Sequence, residues 1–399
     1  MKKESMMKYC LMHHEIPVAE LEIDEYANIT AVGEIYQAAH LPIGTIQDGQ
    51  ADRRGLNRWW TKRSIPVTRP GIREALWNLN LSSPQELLLR CYGLSLSDQY
   101  WVSPIDTPLS WNRVNFFENE FSEDIGNVLF GGHSIGDSEQ LNYLSPDSTL
   151  EGQLRKKWKI LNGSRILLKG GREPYFQEPY NEVIASRISE RLGIPHTEYQ
   201  IIYHDGNPCS VCEDFITADT ELVPAQYVLQ QYKRRSDISE YEHCVSCFEA
   251  LGVPDARRRL EQMLVLDYLT VNTDRHFNNF GLIRNARTLE TVGMAPIYDC
   301  GNSLWFNILE TRIDAYQENL PAKVFRRTQE AALSLVSDFS WFDIRTLDGI
   351  EDECDEILSS AETISPERRR ILRNALGSRI DLLYQAVQKF EERNTISLK

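Results

Sequence analysis

The order of secondary-structure signals along the chain most constrains its fold. Short strand-like runs dominate between residues 145 and 220, and beyond Thr220 the pattern is mainly helical. Two strand candidates are joined by Asn162-Gly163, a strong signal for a tight hairpin. The helical part contains an apolar stretch, Leu260–Val271, and a long amphipathic one, Pro366–Glu392. A strand-rich part followed by a helix-rich part predicts an α+β fold with two lobes.

The length of the chain limits its number of domains. Its 399 residues are enough for two or three domains of about 100–200 residues each. We expect an additional N-terminal α/β region of unknown role over residues 1–120, a small strand-rich lobe over 121–220 and a larger helical lobe over 221–399. Within the strand-rich lobe, apolar residues at helical spacing predict a helix over Asn181–Leu192 that stops at Gly193.

Charge and hydropathy narrow the class of protein. The net charge is −15, which disfavours direct binding of nucleic acid, because proteins that coat nucleic acid are strongly basic. No run approaches the roughly 20 apolar residues of a membrane span, and the first residues lack the apolar core of a signal peptide. We therefore expect a cytoplasmic protein that does not associate with membranes. One basic cluster, between Arg53 and Arg73, is either an anion-binding face or a set of arginines paired with acidic neighbours; the second interpretation is favoured.

The cysteine pattern leaves a metal alternative open. Eight cysteines in a chain of this length fit reduced thiols better than a disulfide framework. Cys209-x-x-Cys212 and Cys244-x-x-Cys247 supply the ligand count of a structural zinc site. The two pairs are farther apart than in a zinc ribbon, and the first lies in a predicted strand, where side chains three apart point to opposite faces. Zinc binding is therefore the less favoured interpretation.

The polar segment after the apolar helix carries the candidate chemistry. It reads Asn272-Thr-Asp-Arg-His-Phe-Asn-Asn-Phe-Gly281 and places Asp274 five residues before Asn279. This spacing is similar to that of a kinase catalytic loop, in which the Asp orients a hydroxyl group and the Asn binds magnesium. Asp299, in Pro296-Ile-Tyr-Asp-Cys-Gly301, can bind the metal that bridges the ATP phosphates. The three residues predict phosphoryl transfer from ATP with Mg²⁺ as the metal.

Together, these motifs resemble the catalytic core of the HipA-like serine/threonine kinases. The matching residues are Asn272-Thr-Asp-Arg-His-x-x-Asn-Phe-Gly281 and Ala295-Pro-Ile-Tyr-Asp299, and the likeness extends over roughly residues 140–390. The resemblance implies a two-lobed protein kinase-like fold, related to eukaryotic protein kinases and phosphoinositide kinases. It implies an ATP-dependent protein serine/threonine kinase. The first 120 residues do not match the family.

The resemblance also assigns roles upstream of the catalytic segment. It implies that Lys169 contacts the ATP phosphates and that Glu182 pairs with this lysine. It places Glu213 and Phe215 at the hinge whose backbone binds adenine.

A short segment, Ser148-Thr-Leu-Glu-Gly-Gln153, corresponds to the phosphate loop of the family. Thr149 and Gly152 are its candidate nucleotide contacts, and Lys156 or Lys157 can stand in for a lysine that the loop lacks. In relatives this loop can carry an autophosphorylated serine, which makes Ser148 or Thr149 a candidate phosphorylation site.

Two residues near Asp274 have more than one interpretation. His276 is a candidate catalytic residue as a general base, and alternatively a structural residue that holds the loop, which is the favoured interpretation. Asp267, on the preceding helix, either faces the site or packs the helix.

Three functions remain open. The first is a protein kinase with an unidentified protein substrate, and the second is a lipid or small-molecule kinase of the same fold. The second ranks lower because no basic amphipathic helix for membranes is evident. The third is a nucleotide-binding module without turnover that docks a protein partner. The resemblance adds a small DNA-binding regulatory protein as a candidate partner, because relatives often act as toxins restrained by one.

Overall fold

The structure, a computed structural model, describes residues 7–47, 49–131, 141–317 and 319–397, with side chains up to residue 392. The fold is mixed α/β. Two compact units are described separately below: Met1–Lys169 with Glu213–Lys233 and Leu282–Gly293, and Gly170–Cys212 with Arg234–Gly281 and Met294–Lys399. The boundaries expected at residues 120 and 220 stay a prediction.

The secondary-structure elements are given in chain order. The strands are β1 Met7–His13, β2 Ile16–Ile23, β3 Ile29–Ile35, β4 Ile46–Gln47, β5 Gln50–Ala51, β6 Tyr100–Pro104, β7 Lys156–Leu161, β8 Ser164–Gly170, β9 Gln200–His204, β10 Asn207–Glu213, β11 Thr220–Pro224, β12 Gly281–Asn285 and β13 Thr291–Met294. The α-helices are α1 Arg53–Lys62, α2 Ile72–Asn78, α3 Pro84–Arg90, α4 Trp111–Val114, α5 Asp124–Gly131, α6 Glu178–Arg191, α7 Ala225–Gln231, α8 Glu240–Ala250, α9 Ala256–Thr270, α10 Gln329–Leu333, α11 Ile350–Ser359 and α12 Pro366–Ser397.

An antiparallel sheet in the order β3-β2-β1-β6 organises the first part of the first unit. Buried positions tend to alternate with more exposed ones along β1 and β2, as expected for a sheet that covers a core with one face. Helix α1 adds Trp59 and Trp60 to that core. It begins after Asp52, whose side chain accepts a hydrogen bond from the Arg54 N–H and so caps the helix.

The predicted Asn-Gly hairpin is confirmed. Strands β7 and β8 pair antiparallel, with Leu161 opposite Ser164. The two residues between them, Asn162 and Gly163, have φ values of 52° and 86°. Both lie in the left-handed region that a two-residue hairpin turn needs, and Asn and Gly are the residues that adopt it most readily.

A buried polar network joins β1 to strands from later in the first unit. Glu221 on β11 accepts a 2.6 Å hydrogen bond from Arg284 Nε and lies 2.9 Å from His13 Nε2. Arg284 Nη2 also donates to the Tyr100 hydroxyl, at 2.9 Å. Burial alone would raise the pKa of Glu221, but His13 and Arg284 outweigh it and lower that pKa to about 2. The carboxylate is therefore charged and paired inside the unit.

The second unit is mainly helical, and α9 lies at its centre. Every residue from Leu260 to Thr270 is buried. Helix α12 contributes two fully buried arginines, of which Arg379 donates two hydrogen bonds to the Tyr268 carbonyl at the end of α9. Because the last carbonyls of a helix have no partner within it, Arg379 satisfies a group that would otherwise be buried unpaired.

The helices predicted from periodicity are confirmed, with different ends. Helix α6 begins at Glu178, three residues before the predicted start, with a proline in its first turn. It ends before Gly193, which has the positive φ of 65° expected of a C-terminal glycine. None of the helices within the described residues is long and apolar enough to cross a membrane.

The cysteines are present as free thiols. Cys209 and Cys212 lie on β10, as predicted, and Cys244 and Cys247 lie on α8. In the part of the chain that the structure describes, no group of three or more His, Cys, Asp or Glu side chains is placed to hold a metal ion.

We predict that Glu221→Gln lowers the free energy of unfolding by about 3–5 kcal/mol at pH 7, because it leaves buried Arg284 without its counter-charge. Urea denaturation measures this, with exposed Glu34→Gln as the matched control. The folded pKa of Glu221 lies below its unfolded value near 4.3, so its stabilisation is present above about pH 4.3 and is lost as pH falls towards 2. If Glu221→Gln and Glu34→Gln had the same free energy of unfolding, the Glu221 network would not stabilise the fold.

Candidate active site

The candidate catalytic loop begins directly after the end of α9. Val271 has φ 52° and ψ 49°, a left-handed conformation that is strained for a β-branched residue. The next N–H, of Asn272, bonds back to the Asp267 carbonyl at 2.9 Å. The chain therefore leaves the helix abruptly, and residues 272–280 form a loop instead of another turn of α9.

One buried arginine holds this loop together. Arg275 is 2% exposed, and its guanidinium contacts the Asp267 carboxylate on α9 through Nη2 at 2.9 Å and Nε at 3.0 Å. Its Nη1 donates to the carbonyls of Asn279, at 3.0 Å, and Tyr298, at 2.7 Å. Burial alone would lower the pKa of Arg275, but Asp267 and Cys300 outweigh it and hold that pKa well above its usual value. Arg275 thus joins the helix, the loop and the residue before Asp299.

Asp274 lies at the surface end of this arrangement. Its side chain is 30% exposed. Asn302 Nδ2 donates to Asp274 Oδ2 at 2.6 Å, and the ammonium group of Lys323 contacts Oδ1. The backbone N–H of Asp274 bonds to Asn272 Oδ1 at 3.0 Å. The carboxylate is therefore oriented by its neighbours and still open to a substrate.

Asn279 and His276 complete the loop. Asn279 Nδ2 donates to the Asp274 carbonyl at 3.1 Å, and the Asn279 N–H bonds to the His276 carbonyl at 2.8 Å. The His276 ring accepts a hydrogen bond from the Asn278 N–H at Nδ1, at 3.3 Å. Burial lowers the pKa of His276 and outweighs the opposite effects of Asp274 and Asp299. A neutral ring that accepts a backbone hydrogen bond agrees with a structural role, and the catalytic role of His276 stays a prediction.

Asp299 is the residue after Tyr298, whose carbonyl accepts a hydrogen bond from Arg275. Its φ is 60°, and its N–H donates to the Tyr199 hydroxyl at 3.4 Å. The next N–H, of Cys300, donates to Glu182 Oε2 at 2.8 Å. Glu182 is 2% exposed on α6. Its carboxylate thus fixes the backbone beside the candidate metal ligand.

The oxygen atoms of Asn279 and Asp299 fit the preferences of Mg²⁺. This ion favours hard oxygen ligands and is usually held by one or two carboxylates together with water and phosphate oxygens. The amide nitrogen of Asn279 is directed to the Asp274 carbonyl, so the amide oxygen faces the other way. Asp299 is the candidate that would supply the carboxylate, and its role as a metal ligand stays a prediction.

Lys169, Gly152 and Thr149 lie in the first unit. Lys169 is 3% exposed on β8, opposite Lys156 on β7. Gly152 has φ 90°, which favours glycine. The Thr149 hydroxyl bonds to the carbonyls of Leu94 and Pro146, both at 3.1 Å. Their contacts with nucleotide stay predictions.

An arginine from the basic cluster supports the candidate phosphate loop. Arg69 is 3% exposed; its Nε donates to the Gly152 carbonyl at 2.9 Å and its Nη2 to the Leu150 carbonyl at 2.5 Å. Arg63 of the same cluster pairs with Asp98 at 2.6 Å. Arg63 thus pairs with an acidic neighbour, as the favoured interpretation of the cluster expects, whereas Arg69 is held by backbone carbonyls. Ser148 is fully buried, so phosphorylation there requires the loop to move.

The candidate hinge residues flank a partly buried acid, Asp214. Glu213 ends β10 and is exposed, whereas Phe215 packs against the core around Trp101. Between them, burial raises the pKa of Asp214 to about 8. Adenine binding at Glu213 and Phe215 stays a prediction.

Sequence reasoning assigned no role to three residues that contact the catalytic loop. Arg275 lies inside the motif, but a buried role is not visible from its spacing. Asn302 follows Asp299 by three positions, and its amide type offered only a weak signal. Lys323 carries no sequence signal, because its proximity to Asp274 depends on tertiary structure.

We predict that Arg275→Met lowers the free energy of unfolding by about 3–5 kcal/mol, because it leaves Asp267 charged and buried without a partner. Urea denaturation measures the change. Exposed Arg345→Met is the control, with little expected change in the free energy of unfolding. The double variant Asp267→Asn/Arg275→Met should lose less than the sum of its single variants, since both charges are removed. Strictly additive losses would mean that the two residues do not act as a pair.

Comparisons with known proteins found one matching family model and solved structures of similar fold. The model of the HipA-like C-terminal domain matches residues 149–363. A chain of the Shewanella oneidensis MR-1 toxin–antitoxin complex of HipA, HipB and operator DNA is similar in fold, with a TM-score of 0.54 and 13% identity over 94% of this chain and 96% of that one. The Helicobacter pylori proinflammatory kinase CtkA matches with a TM-score of 0.45 and 17% identity, over 59% of this chain and 95% of that one.

A search of curated proteins found no significant sequence match. The family match covers more than half of the 399 residues and includes Asp274, Asn279 and Asp299. The chain belongs to the HipA-like C-terminal domain family.

Proposed function

We propose that the protein is an ATP- and Mg²⁺-dependent serine/threonine protein kinase of the HipA-like type. The observation that carries the proposal is the placement of the Asp274 carboxylate. It is held by Asn302 at a partly exposed position, on a loop that buried Arg275 ties to the residue before Asp299. A carboxylate oriented beside two metal-ligand candidates is what phosphoryl transfer to a hydroxyl group requires.

Asp274 acts on the acceptor in this proposal. The acceptor hydroxyl donates a hydrogen bond to Asp274 Oδ1 while its oxygen attacks the γ-phosphorus. A bond forms between that oxygen and phosphorus, and the bond from phosphorus to the oxygen shared with the β-phosphate breaks, which releases ADP. The hydroxyl proton passes to Asp274. Mg²⁺, held by Asn279 and Asp299, would supply charge neutralisation for the phosphate groups.

We assign roles to the remaining candidate residues because they occur along the chain in the same order as the motifs of the family. Lys169 contacts the ATP phosphates, and Glu182 fixes that lysine. Thr149 and Gly152 belong to the phosphate loop, and Glu213 and Phe215 hold adenine. The low exposure of Lys169 and Glu182, 3% and 2%, supports fixed positions for both side chains.

A hydroxyl group of a protein is the proposed acceptor. Lipid or small-molecule phosphorylation, or nucleotide binding without turnover, would appear as different outcomes of the same assay. A small regulatory protein partner is also part of the proposal, on the precedent of the Shewanella complex that contains HipB. The net charge of −15 keeps direct nucleic-acid binding disfavoured.

We predict that Asp274→Asn lowers the rate of phosphoryl transfer about 100- to 10,000-fold, the usual contribution of a general base. ATP binding should change little, because Asp274 is assigned to the acceptor. Transfer of labelled γ-phosphate from ATP and a thermal shift with ATP and Mg²⁺ measure the two effects. The control is Asp381→Asn, which alters an exposed carboxylate on α12. Full transfer by Asp274→Asn would refute its assignment.

We predict that Asp299→Asn raises the Mg²⁺ concentration needed for half-maximal transfer, because the metal loses a charged oxygen ligand. The same variant should also lose the Mg²⁺-dependent part of the thermal shift with ATP, a readout that does not require turnover. An unchanged Mg²⁺ titration in both assays would remove Asp299 from the metal site.

A further inference from the structure

A lysine outside the family motifs contacts Asp274. Lys323 lies on the segment Leu320–Gln329, which we call the Lys323 loop. The loop is closed by pairing between Pro321 and Thr328 and by a 3.0 Å hydrogen bond from the Ala322 N–H to the Arg327 carbonyl. The ammonium group of Lys323 contacts Asp274 Oδ1, although 53% of the lysine side chain is exposed.

The Lys323 loop is anchored on both sides of the lysine. Phe325 is 7% exposed and packs edge-on against Tyr241, Phe277 and Phe280, with ring centroids 5.3–6.3 Å apart. Gln329 Nε2 donates to the carbonyls of Asn272, at 2.7 Å, and Pro321, at 2.9 Å.

These contacts tie the Lys323 loop to the catalytic loop itself, since Phe277, Phe280 and Asn272 all belong to that segment. The position of Lys323 beside Asp274 is therefore set by the fold and does not depend on the ion pair alone.

The stability gained from an exposed ion pair does not explain why the fold fixes Lys323 beside Asp274. Pairs between exposed side chains contribute little to stability. Asp274 Oδ2 is already held by Asn302, so orientation of the carboxylate does not require the lysine. The location of Lys323 bears on the reaction instead, because it contacts Oδ1, the oxygen that receives the acceptor hydroxyl in the proposed function.

The contact with Asp274 Oδ1 puts the lysine close to where the proposed reaction places the transferring group. In the proposed reaction the acceptor oxygen lies about 2.6–3.2 Å from Asp274 and bonds to the phosphorus on its other side. A cation that contacts Oδ1 is then within one side-chain movement of the phosphoryl oxygens, which carry the charge of the transition state. The flexible lysine stem can make that movement when the hydroxyl takes its place at Oδ1.

We propose that Lys323 is a further catalytic residue, whose ammonium group contacts the transferring phosphoryl group and neutralises charge on its oxygens. This inference rests on the proposed function. Lys323 exchanges no proton in this step, and the bonds made and broken are those given above. Charged donors aimed at a transition state contribute more to catalysis than to folding, because their contact strengthens as charge develops.

The test compares Lys323→Ala, Lys323→Arg and Arg327→Ala by transfer of labelled γ-phosphate. Lys323→Ala should lower kcat by about 100- to 1,000-fold, as loss of a transition-state donor does, with a smaller change in KM for ATP. Lys323→Arg should recover part of the rate. Arg327→Ala removes an exposed cation from the same loop and should transfer at the wild-type rate. Thermal midpoints should be alike for all three.

The outcomes separate this inference from the proposed function. If wild type transfers no phosphate to any acceptor, including itself, the proposed function fails. If wild type is active and Lys323→Ala equals Arg327→Ala, Lys323 is not catalytic. A faster Lys323→Ala variant would equally overturn the inference, because it would identify the lysine as an inhibitory cap on Asp274.

Discussion

The buried ion pair between Arg275 and Asp267 is the interaction on which the candidate site depends. Three segments of the second unit meet at this guanidinium: α9 through Asp267, the catalytic loop through the Asn279 carbonyl, and the approach to Asp299 through the Tyr298 carbonyl. Buried ion pairs contribute little net stability but are costly to break. This pair matters because the Arg275 side chain fixes the position of the backbone at Asn279 and at Tyr298, the residue before Asp299.

The same logic appears in the first unit, where polar residues that precede the family match hold the backbone of segments that follow them. Arg69 supports the carbonyls of Leu150 and Gly152 in the candidate phosphate loop. Asp147, just before that loop, accepts a 2.7 Å hydrogen bond from the Trp158 N–H of β7. The residues that match no family motif thus have at least one physical role, which is to complete and brace the unit that carries the loop.

Local signals allowed much of the fold to be predicted, and non-local contacts account for what was missed. The β7–β8 hairpin was predictable because Asn162-Gly163 determines its turn within two residues. The start of α6 was misplaced by three residues because the prediction followed apolar periodicity and overlooked Pro179, a residue that favours the first turn. Asp274, Asn279 and Asp299 were predicted as site residues from their spacing, whereas the contacts of Arg275, Asn302 and Lys323 with the catalytic loop arise only in the tertiary structure.

We propose that Arg275 positions Asn279 and the backbone before Asp299 so that both residues bind the metal of a nucleotide, with Asp274 at the transferred phosphate. A crystal structure with Mg²⁺ and a non-hydrolysable ATP analogue tests it most directly. We expect Mg²⁺ ligated by Asn279 Oδ1 and an Asp299 carboxylate oxygen, with the terminal phosphate beside Asp274 and Lys323. Nucleotide bound with its phosphates away from these four residues, or metal ligated by other side chains, would contradict the proposed site.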